Sequence, residues 1–430
     1  MRGPRIALDW RMFKRLAAPF AVTSARSLGA TRLVVFIGFW ATTLAQPNVL
    51  GRIPLQNLLK NTLESDRSAA AAFFFWIGAP WYLKPLIGAL SDTYPLLGSR
   101  RASYLALGGL IAAAAWAALA PAAHDYGALL AVCMALNLAI VIASTAIGGY
   151  MVEIAQAVDR PGQLTSLRNA GYQSSWLISG LAGGYLGALS IGWTALAGGA
   201  VALLIAPLAW LMREPPRPPR ATPLRDGIAR RLGALIRARG LWSVALLATL
   251  YYLAPGLQTA LFYLQQNSLR LDTPHQGYLT FCGGVGGVAA AAVYGLFAAH
   301  RFALRRLMRV CLAFGAGGIL LYRLYDSFAH ALVIETINGF AAALCEIVII
   351  HAAVRATPRG SEALGFAVFM AVRNFFLFGS DWLGSALIDH VHLRFETLVV
   401  LNAGMTLLAA LLAQRLPAEL LEARDATKEA

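Results

Sequence analysis

Arg168, Tyr172, Ser175 and Ser179 recur at spacings of three and four residues, with Asn169, Gln173 and Trp176 alongside, inside an otherwise apolar run. Such a stripe sets a cation, amides and aromatic faces along one side of a helix. Arg373 and Asn374 begin a second stripe that continues to Ser380 and Asp381. A guanidinium so placed can clamp an anionic group with two parallel hydrogen bonds. Arg373 and Asp381 share a face, but about eight helical residues, roughly 12 Å, separate them. Each therefore needs another partner or a ligand. Carboxylates complete the inventory. Thr145, Gly149 and Glu153 share one helical face; Glu335, Asn338 and Glu346 share another, with His351 a turn further. Acids at membrane depth mark proton relays and ligand sites, so Glu153, Glu346 and Asp381 are each candidates to carry a coupling proton. Phe39, Thr43 and Gln46 line a further face, and Tyr251, Pro255, Gln258 and Phe262 another. The proline there kinks a helix beside ligand-type side chains.

These groups are set in a chain unlike a soluble one. Of 430 residues, 58% are apolar and only 13% charged, and the mean hydropathy is +0.61. Soluble domains carry about 25% charged residues. Apolar runs of about 18–25 residues, long enough to span a bilayer, recur near 33–51, 69–90, 102–123, 127–154, 166–190, 193–212, 242–264, 275–299, 307–325, 330–354, 362–389 and 393–415. The pattern predicts an all-α membrane protein of about twelve transmembrane helices. No cleavable signal peptide is expected at the N-terminus; Trp10–Arg15 mixes aromatics and cations and suits either an anionic membrane face or a frayed positive terminus.

Most of the 36 cations fall in loops on the side of the two termini. Arg52, Lys60, Arg67, Arg270, Arg323 and Arg394 fall on the other side, and Lys84, Arg168 and Arg373 within the runs. This asymmetry predicts cytoplasmic termini in a bacterial inner membrane. The net charge of +15 then reflects orientation and lipid contact, not nucleic acid.

The proline-rich stretch Glu214–Arg220 cannot continue a helix and divides the runs six and six. The expected organisation is a cytoplasmic segment 1–32, a six-helix half 33–212, a linker 213–240, a second half 241–415 and a tail 416–430. The halves echo each other: Leu167-Arg168-Asn169 with Trp176 matches Val372-Arg373-Asn374 with Trp382, and Gly88…Arg100-Arg101 matches Gly295…Arg305-Arg306. Such repeats place a solute site at their interface near the bilayer midplane. Asp92, Arg100 and Arg101, with Lys84, form a candidate gating latch where the second run meets the cytoplasm.

Other chemistries lack their signatures. There is no GxxxxGK[ST] phosphate loop, and Lys occurs only four times. No DxxxD or HxxxH pair suits a membrane-embedded enzyme. Cys133, Cys282, Cys311 and Cys345 show no CxxC or Cys/His spacing and read as small apolar residues; neither metal nor cofactor is expected. A rocking carrier is favoured over an enzyme or a channel.

The segment from Pro80 to Tyr104 carries Pro80-Trp81, Lys84-Pro85, Gly88, Ser91-Asp92, Pro95, Gly98 and Arg100-Arg101. It closely resembles the folate–biopterin transporter family of the major facilitator superfamily. Pro54-Leu55-Gln56, Gly162-Gln163-Leu164, Pro255 and Gly360-Ser361-Glu362 are also similar, so the likeness covers roughly 45–390. Gly98-Ser99-Arg100-Arg101-Ala102 departs from it, lacking an aromatic after the glycine and a third cation. The resemblance implies the major facilitator fold and alternating-access transport of a folate- or pterin-like anion; without a nucleotide-binding loop, the expected energy source is a gradient, of protons. A pterin needs aromatic faces and a carboxylate at its amino-pyrimidine edge; a folate tail needs cations. Expected binding residues are Arg168, Arg373, Tyr172, Gln173, Trp176, Asn169, Asn374, Gln258, Gln46 and Tyr251. Another organic anion, such as a siderophore, fits the same arginines. The expected partners are the solute, protons and lipid, with a monomeric protein.

Overall fold

The computed structural model describes residues 25–157, 161–212, 214, 233, 235–358 and 362–421. Trp10–Arg15, Arg160, Gly360-Ser361, most of the linker and most of the tail lie outside the described residues. The described elements are helical, and the chain is an all-α membrane protein. Seven helices among them are long and apolar enough to cross a bilayer: those within 126–151, 191–211, 273–298, 304–324, 328–356, 364–389 and 395–415.

Other passes are built from shorter helices because proline and glycine interrupt them. α1 (Ala25–Leu44) stops before Gln46-Pro47-Asn48, and α2 (Arg52–Asn61) resumes beyond. α3 (Arg67–Ile77), α4 (Ala79–Tyr82) and α5 (Lys84–Thr93) are separated where Pro80 and Pro85 each open a new helix, the position at which a missing N–H costs least. α6 (Ala102–Ala117) and α7 (Leu119–Ala122) follow, then the long α8 (Tyr126–Ala157) and α9 (Pro161–Gly187), and α10 (Ile191–Leu203) with α11 (Ile205–Leu211).

The later portion repeats the scheme. α12 (Arg239–Tyr252) and α13 (Gln258–Asn267) flank the break at Pro255-Gly256. α14 (Thr273–Val293) runs through a π-turn at Tyr294–Ala298 into α15 (Ala299–Arg301). α16 (Leu304–Leu320) ends in a 3-10 turn, Leu321–Leu324; α17 (Phe328–Ala356), α18 (Glu362–Asp389), α19 (Phe395–Leu412) and α20 (Ala418–Leu421) complete it. The first and seventh runs thus differ from the uninterrupted spans expected at 33–51 and 242–264: both are broken helices.

Backbone groups freed at the breaks must be satisfied inside the protein, because hydrocarbon offers no partners. Trp116 Nε1 donates to Ala45 O at 2.9 Å and Ser179 Oγ to Val49 O at 3.0 Å. Asn402 Nδ2 donates to Pro255 O at 2.7 Å, and the Gly256 amide to Ser380 O at 2.8 Å. At Gly78, between α3 and α4, Asn137 Nδ2 donates to Ile77 O at 2.6 Å.

One apolar core gathers residues from Val34 to Met212 around Phe73, Trp116 and Tyr150, and takes in Phe262 and Tyr263. Two others, from Val244 to Leu421 and from Leu257 to Val399, hold the later helices. Trp210, Leu246 and Leu296 are largely exposed, which suits lipid contact. The two portions meet where α9 crosses α14 and where α18 crosses α3. The α9–α14 crossing is tight because it is made by glycines. A Cβ on Gly184 would lie 2.8 Å from Gly277 Cα and 2.9 Å from Thr273 O. Small residues admit such backbone approach in membranes.

Gly184→Leu should therefore force the crossing apart. Overpacking of this kind costs about 1–3 kcal/mol. Tryptophan-monitored thermal unfolding in detergent should report a lowered midpoint; an unchanged midpoint would refute the close packing.

Candidate functional site

A cavity of about 520 Å³ lies between the two portions, within the ordinary size of small-molecule sites. The helix breaks aim side chains into it. α1 and the bend after it supply Phe39, Thr43, Gln46 and Asn48; α2 supplies Arg52 and Gln56. The proline-interrupted α4–α5 segment supplies Trp81 and Lys84, and α9 supplies Arg168, Tyr172, Gln173 and Trp176. From the later portion come Tyr251, Tyr252, Gln258, Glu335, Glu346, Arg373, Asn374 and Asp381. Of the expected binding residues, Asn169 is not part of the lining: it is buried.

The cations meet different fates. Arg373 Nη2 lies 2.6 Å from Glu346 Oε1, with Nη1 donating to Asn374 Oδ1 at 2.7 Å. Its Nε donates to the Tyr252 hydroxyl at 3.3 Å, and the guanidinium lies 5.1 Å over that ring. Arg373 and Asp381 do not pair, as their spacing required. Asp381 instead accepts from the Thr259 amide and hydroxyl at 2.9 and 2.7 Å and faces Arg52 Nη2 at 3.5 Å. Arg52 also covers the Phe74 ring at 4.9 Å.

Arg168 makes no salt bridge among the described residues. Its guanidinium lies 5.3 Å from the Phe39 ring and 5.9 Å from Phe366. Lys84 also lacks a described carboxylate partner: Nζ donates to Ser144 Oγ at 3.2 Å and lies 5.1 Å over Trp81. Trp81 is held by Nε1 donation to Asn137 Oδ1 at 3.4 Å.

Glu153, expected at the transport path, is not part of the cavity lining. Its Oε1 accepts from Arg101 Nη2 at 2.9 Å and lies 3.7 Å from Arg100 Nη1. Arg101 is 3% exposed and also donates to Ser91 Oγ at 3.0 Å. It fits because Gly149 leaves room: a Cβ there would lie 2.8 Å from Arg101 Nε. The side chain of Asp92 lies outside the described residues. Lys84, grouped with this latch by sequence, is instead at the cavity, because Pro80 and Pro85 bend the segment inward.

A further anchor escaped the sequence reading. Glu214, just past α11, accepts from Ser99 Oγ at 2.5 Å and from the amides of Arg100, Arg101 and Ala102 at 2.8–3.0 Å. It caps the N-terminus of α6, where backbone donors are orphaned. Burial raises its carboxyl, but these hydrogen bonds outweigh burial and the net shift is downward. Arg52 was also missed, having been assigned to a loop. The clue was the Gln46-Pro47-Asn48 break: a helix resuming at Arg52 is still inside the protein. Trp81 and Lys84, three residues apart, signalled a shared face.

The profile of the BT1 family matches residues 47–430. A "Folate-biopterin transporter" of Synechocystis sp. is 27% identical over 353 residues, covering 76% of this chain and 68% of that protein. A crystal structure of a D-xylose-proton symporter superposes with a TM-score of 0.68 at 15% identity, covering 92% of this chain and 98% of that one. A proton:xylose symporter of the major facilitator superfamily, solved with 6-bromo-6-deoxy-D-glucose, gives a TM-score of 0.66 at 15% identity over 90% and 95% of the two chains. These likenesses establish the major facilitator fold.

Two outcomes follow from the pairing. Glu346→Gln strands the Arg373 guanidinium, and breaking one partner of a buried pair costs about 3–5 kcal/mol. Glu346→Leu with Arg373→Met should recover much of that in thermal unfolding; equal losses would show that the pair is not coupled. Glu214→Gln should cost about 1 kcal/mol at neutral pH, as for other helix caps. Because the folded carboxyl is depressed, its contribution is present above the ordinary carboxylate range and is lost as pH falls through the folded value. The difference between wild type and variant should therefore shrink below about pH 4; a difference independent of pH would refute the cap.

Proposed function

The chain belongs to the BT1 family, and on that premise we propose that this membrane transporter carries a folate- or pterin-like organic anion by alternating access, driven by a proton gradient. The supporting observation is that Arg168 and Lys84 line the cavity with no carboxylate within salt-bridge distance among the described residues, the one acid near them, Glu346, being bonded to Arg373. Unpaired cations at membrane depth are costly. An anionic solute supplies the missing charge, and two cations at one cavity suit a dicarboxylate or a carboxylate-bearing tail.

The rest of the cavity suits a planar heterocycle. Trp81, Tyr172, Trp176 and Tyr252 offer ring faces for stacking, and Gln46, Gln173, Gln258 and Asn374 offer amides for the ring edge. Arg373, already held by Glu346 and Asn374, orders the site and contributes when the solute competes for it. The proposed organisation is two six-helix halves, 33–212 and 241–415, in twelve passes joined by a linker. Both termini face the cytoplasm of a bacterial inner membrane, and the protein works as a monomer.

The alternating-access reading draws on where the halves are joined. Arg67 Nη1 lies 2.9 Å from Asp389 Oδ1, and the Ser68 amide donates to Asp389 Oδ2 at 2.9 Å. Lys60 Nζ donates to Gln266 and Asn267 at 2.7 Å each, and the Tyr263 hydroxyl to Ser65 O at 2.8 Å. These bonds lie at the end of the helices remote from Ala25 and Leu421; on this reading they hold that end closed while the cavity is presented toward the cytoplasm.

The test is counterflow in proteoliposomes against folate, biopterin and a ferric siderophore. Folate or biopterin should exchange. Arg168→Gln should weaken exchange by about 10–100-fold in KM, the worth of a charge-assisted hydrogen bond of about 1.5–3 kcal/mol. Lys84→Gln should act in the same direction. Exchange of the siderophore alone would replace the folate reading, and wild-type rates in both variants would sink the anion site.

A further inference from the structure

We propose that Glu335, and none of the other acids at membrane depth, takes up the coupling proton; this rests on the reading of the protein as a proton-driven carrier.

The argument is one of charge balance. Glu346 balances Arg373, Asp381 faces Arg52, and Glu153 balances Arg101. A proton added to Glu346 or Glu153 leaves a buried guanidinium without its partner, a costly state, and both oxygens of Asp381 already accept from Thr259, so a proton there displaces a bond. Glu335 is different. It lines the cavity on α17 and makes no salt bridge among the described residues; only hydroxyls reach it. Here the charged form is the isolated one, and an unpaired carboxylate at bilayer depth is expensive. Protonating it removes that cost and strands nothing.

The hydrogen bonds distinguish the two oxygens. Gln265 Nε2 donates to the Tyr325 hydroxyl at 2.8 Å, which directs that hydroxyl to donate to Glu335 Oε1 at 2.9 Å. Oε1 is thereby engaged. Oε2 has only the longer contact from the Tyr322 hydroxyl, 3.3 Å, and Tyr322 itself lines the cavity. Oε2 is the atom that accepts a proton arriving through the cavity. The step forms one O–H bond to water's proton on one side of the membrane and breaks it on the other, with no other bond changed.

No described charge stands nearby to perform the task instead. α14 contributes Gln276, Thr280 and Gly283 to the same cavity, and α19 contributes Asn402 and Thr406; none titrates near neutrality. α13 contributes Gln265 and the turn after α16 contributes Tyr322, while Tyr325, the residue after that turn, bonds Glu335 from outside the lining. The Glu346–Arg373 pair lies about eleven residues along, roughly 16 Å of helix. Asp326 and His330, at the exposed start of α17, bond each other at 2.6 Å.

Infrared difference titration of the purified full-length protein tests this without any solute. Wild type should show a protonated-carboxyl band that disappears as pH rises. Glu335→Gln should remove it, Glu346→Gln should keep it, and Tyr322→Phe should move its midpoint without removing it. A band that survives in Glu335→Gln overturns the proposal, as does its absence from wild type at every pH. In proteoliposomes with folate as the probe, a one-unit acid gradient should raise wild-type accumulation about tenfold for one proton per solute. Glu335→Gln should lose that increment and the pH dependence of exchange; retention of either overturns the proposal. If wild-type protein moves no folate, the substrate reading fails, and the infrared arm still decides the protonation of Glu335. If it moves folate indifferently to the gradient, proton coupling fails and Glu335's role with it.

Discussion

An arginine or lysine at the centre of a bilayer costs about 2.5–3.5 kcal/mol on insertion scales, and this chain places Arg52, Lys84, Arg168 and Arg373 around one cavity. How each charge is answered organises the interior. Arg373 has a carboxylate at 2.6 Å, an amide and a ring. Arg52 has a carboxylate at 3.5 Å and a ring. Lys84 has a hydroxyl and an indole, and Arg168 two ring faces. Compensation falls along that series, because a cation–π contact is worth about 0.5–2 kcal/mol, whereas taking the carboxylate away from a buried ion pair costs about 3–5 kcal/mol. The least compensated groups are the ones with most to gain from an anion.

Gathering these groups requires irregular backbone at membrane depth, and the bonds at each break show how it is tolerated. The bends at 45–51 and 253–257 occupy matching places, in the first and the seventh of the twelve apolar runs. Each bend has its exposed carbonyls covered by a side chain from another helix: Trp116 and Ser179 in the first, Asn402 in the second. The bends turn Gln46, Asn48, Arg52, Tyr252 and Gln258 toward the cavity. A straight α1 or α12 would spread these residues around its circumference. The break in the helix and the polar side chain that covers a carbonyl freed there thus belong to one device.

The fold class was legible because hydrocarbon leaves helices as the available answer to long apolar runs. The α9 stripe was legible for the same reason: Tyr172, Gln173 and Trp176 stand out against Leu, Ala and Gly. Arg373 announced itself by the same contrast. Arg52 did not, because an uninterrupted first span puts it in a loop on the far side, and Lys84, though placed within its run, groups by sequence with the latch of Asp92, Arg100 and Arg101. Glu153 was not legible in its pairing either. Its helical face was read correctly, but the partner that claims it, Arg101, comes from a loop whose return into the bundle depends on the space left by Gly149. Nor does any local pattern join Glu214 to the start of α6, more than a hundred positions away in the chain. Pairings across the chain were the part that spacing alone could not supply.

The ion pairs also sort by whether they lie within a half or between halves. Arg101–Glu153 and Arg373–Glu346 each join helices of one portion of the fold, so on the alternating-access reading a rocking of the two portions leaves them unbroken. Arg67–Asp389 and Arg52–Asp381 cross between halves, and on the alternating-access reading these must part when the sealed end opens. Their strengths suit that division. Arg67 and Asp389 are about a fifth exposed, and a partly solvated pair of this kind contributes about 1 kcal/mol or less. The Arg52–Asp381 contact is longer at 3.5 Å, and Asp381 keeps its two bonds from Thr259 in the same half whether or not Arg52 remains. Arg52 retains the Phe74 ring in its own half. Each partner of the buried crossing pair thus has a fallback, which keeps the barrier to separation within reach of solute-binding energy. The within-half pair at Arg373 has its fallbacks, Asn374 and Tyr252, in the same half as Glu346, so nothing in the motion asks it to break.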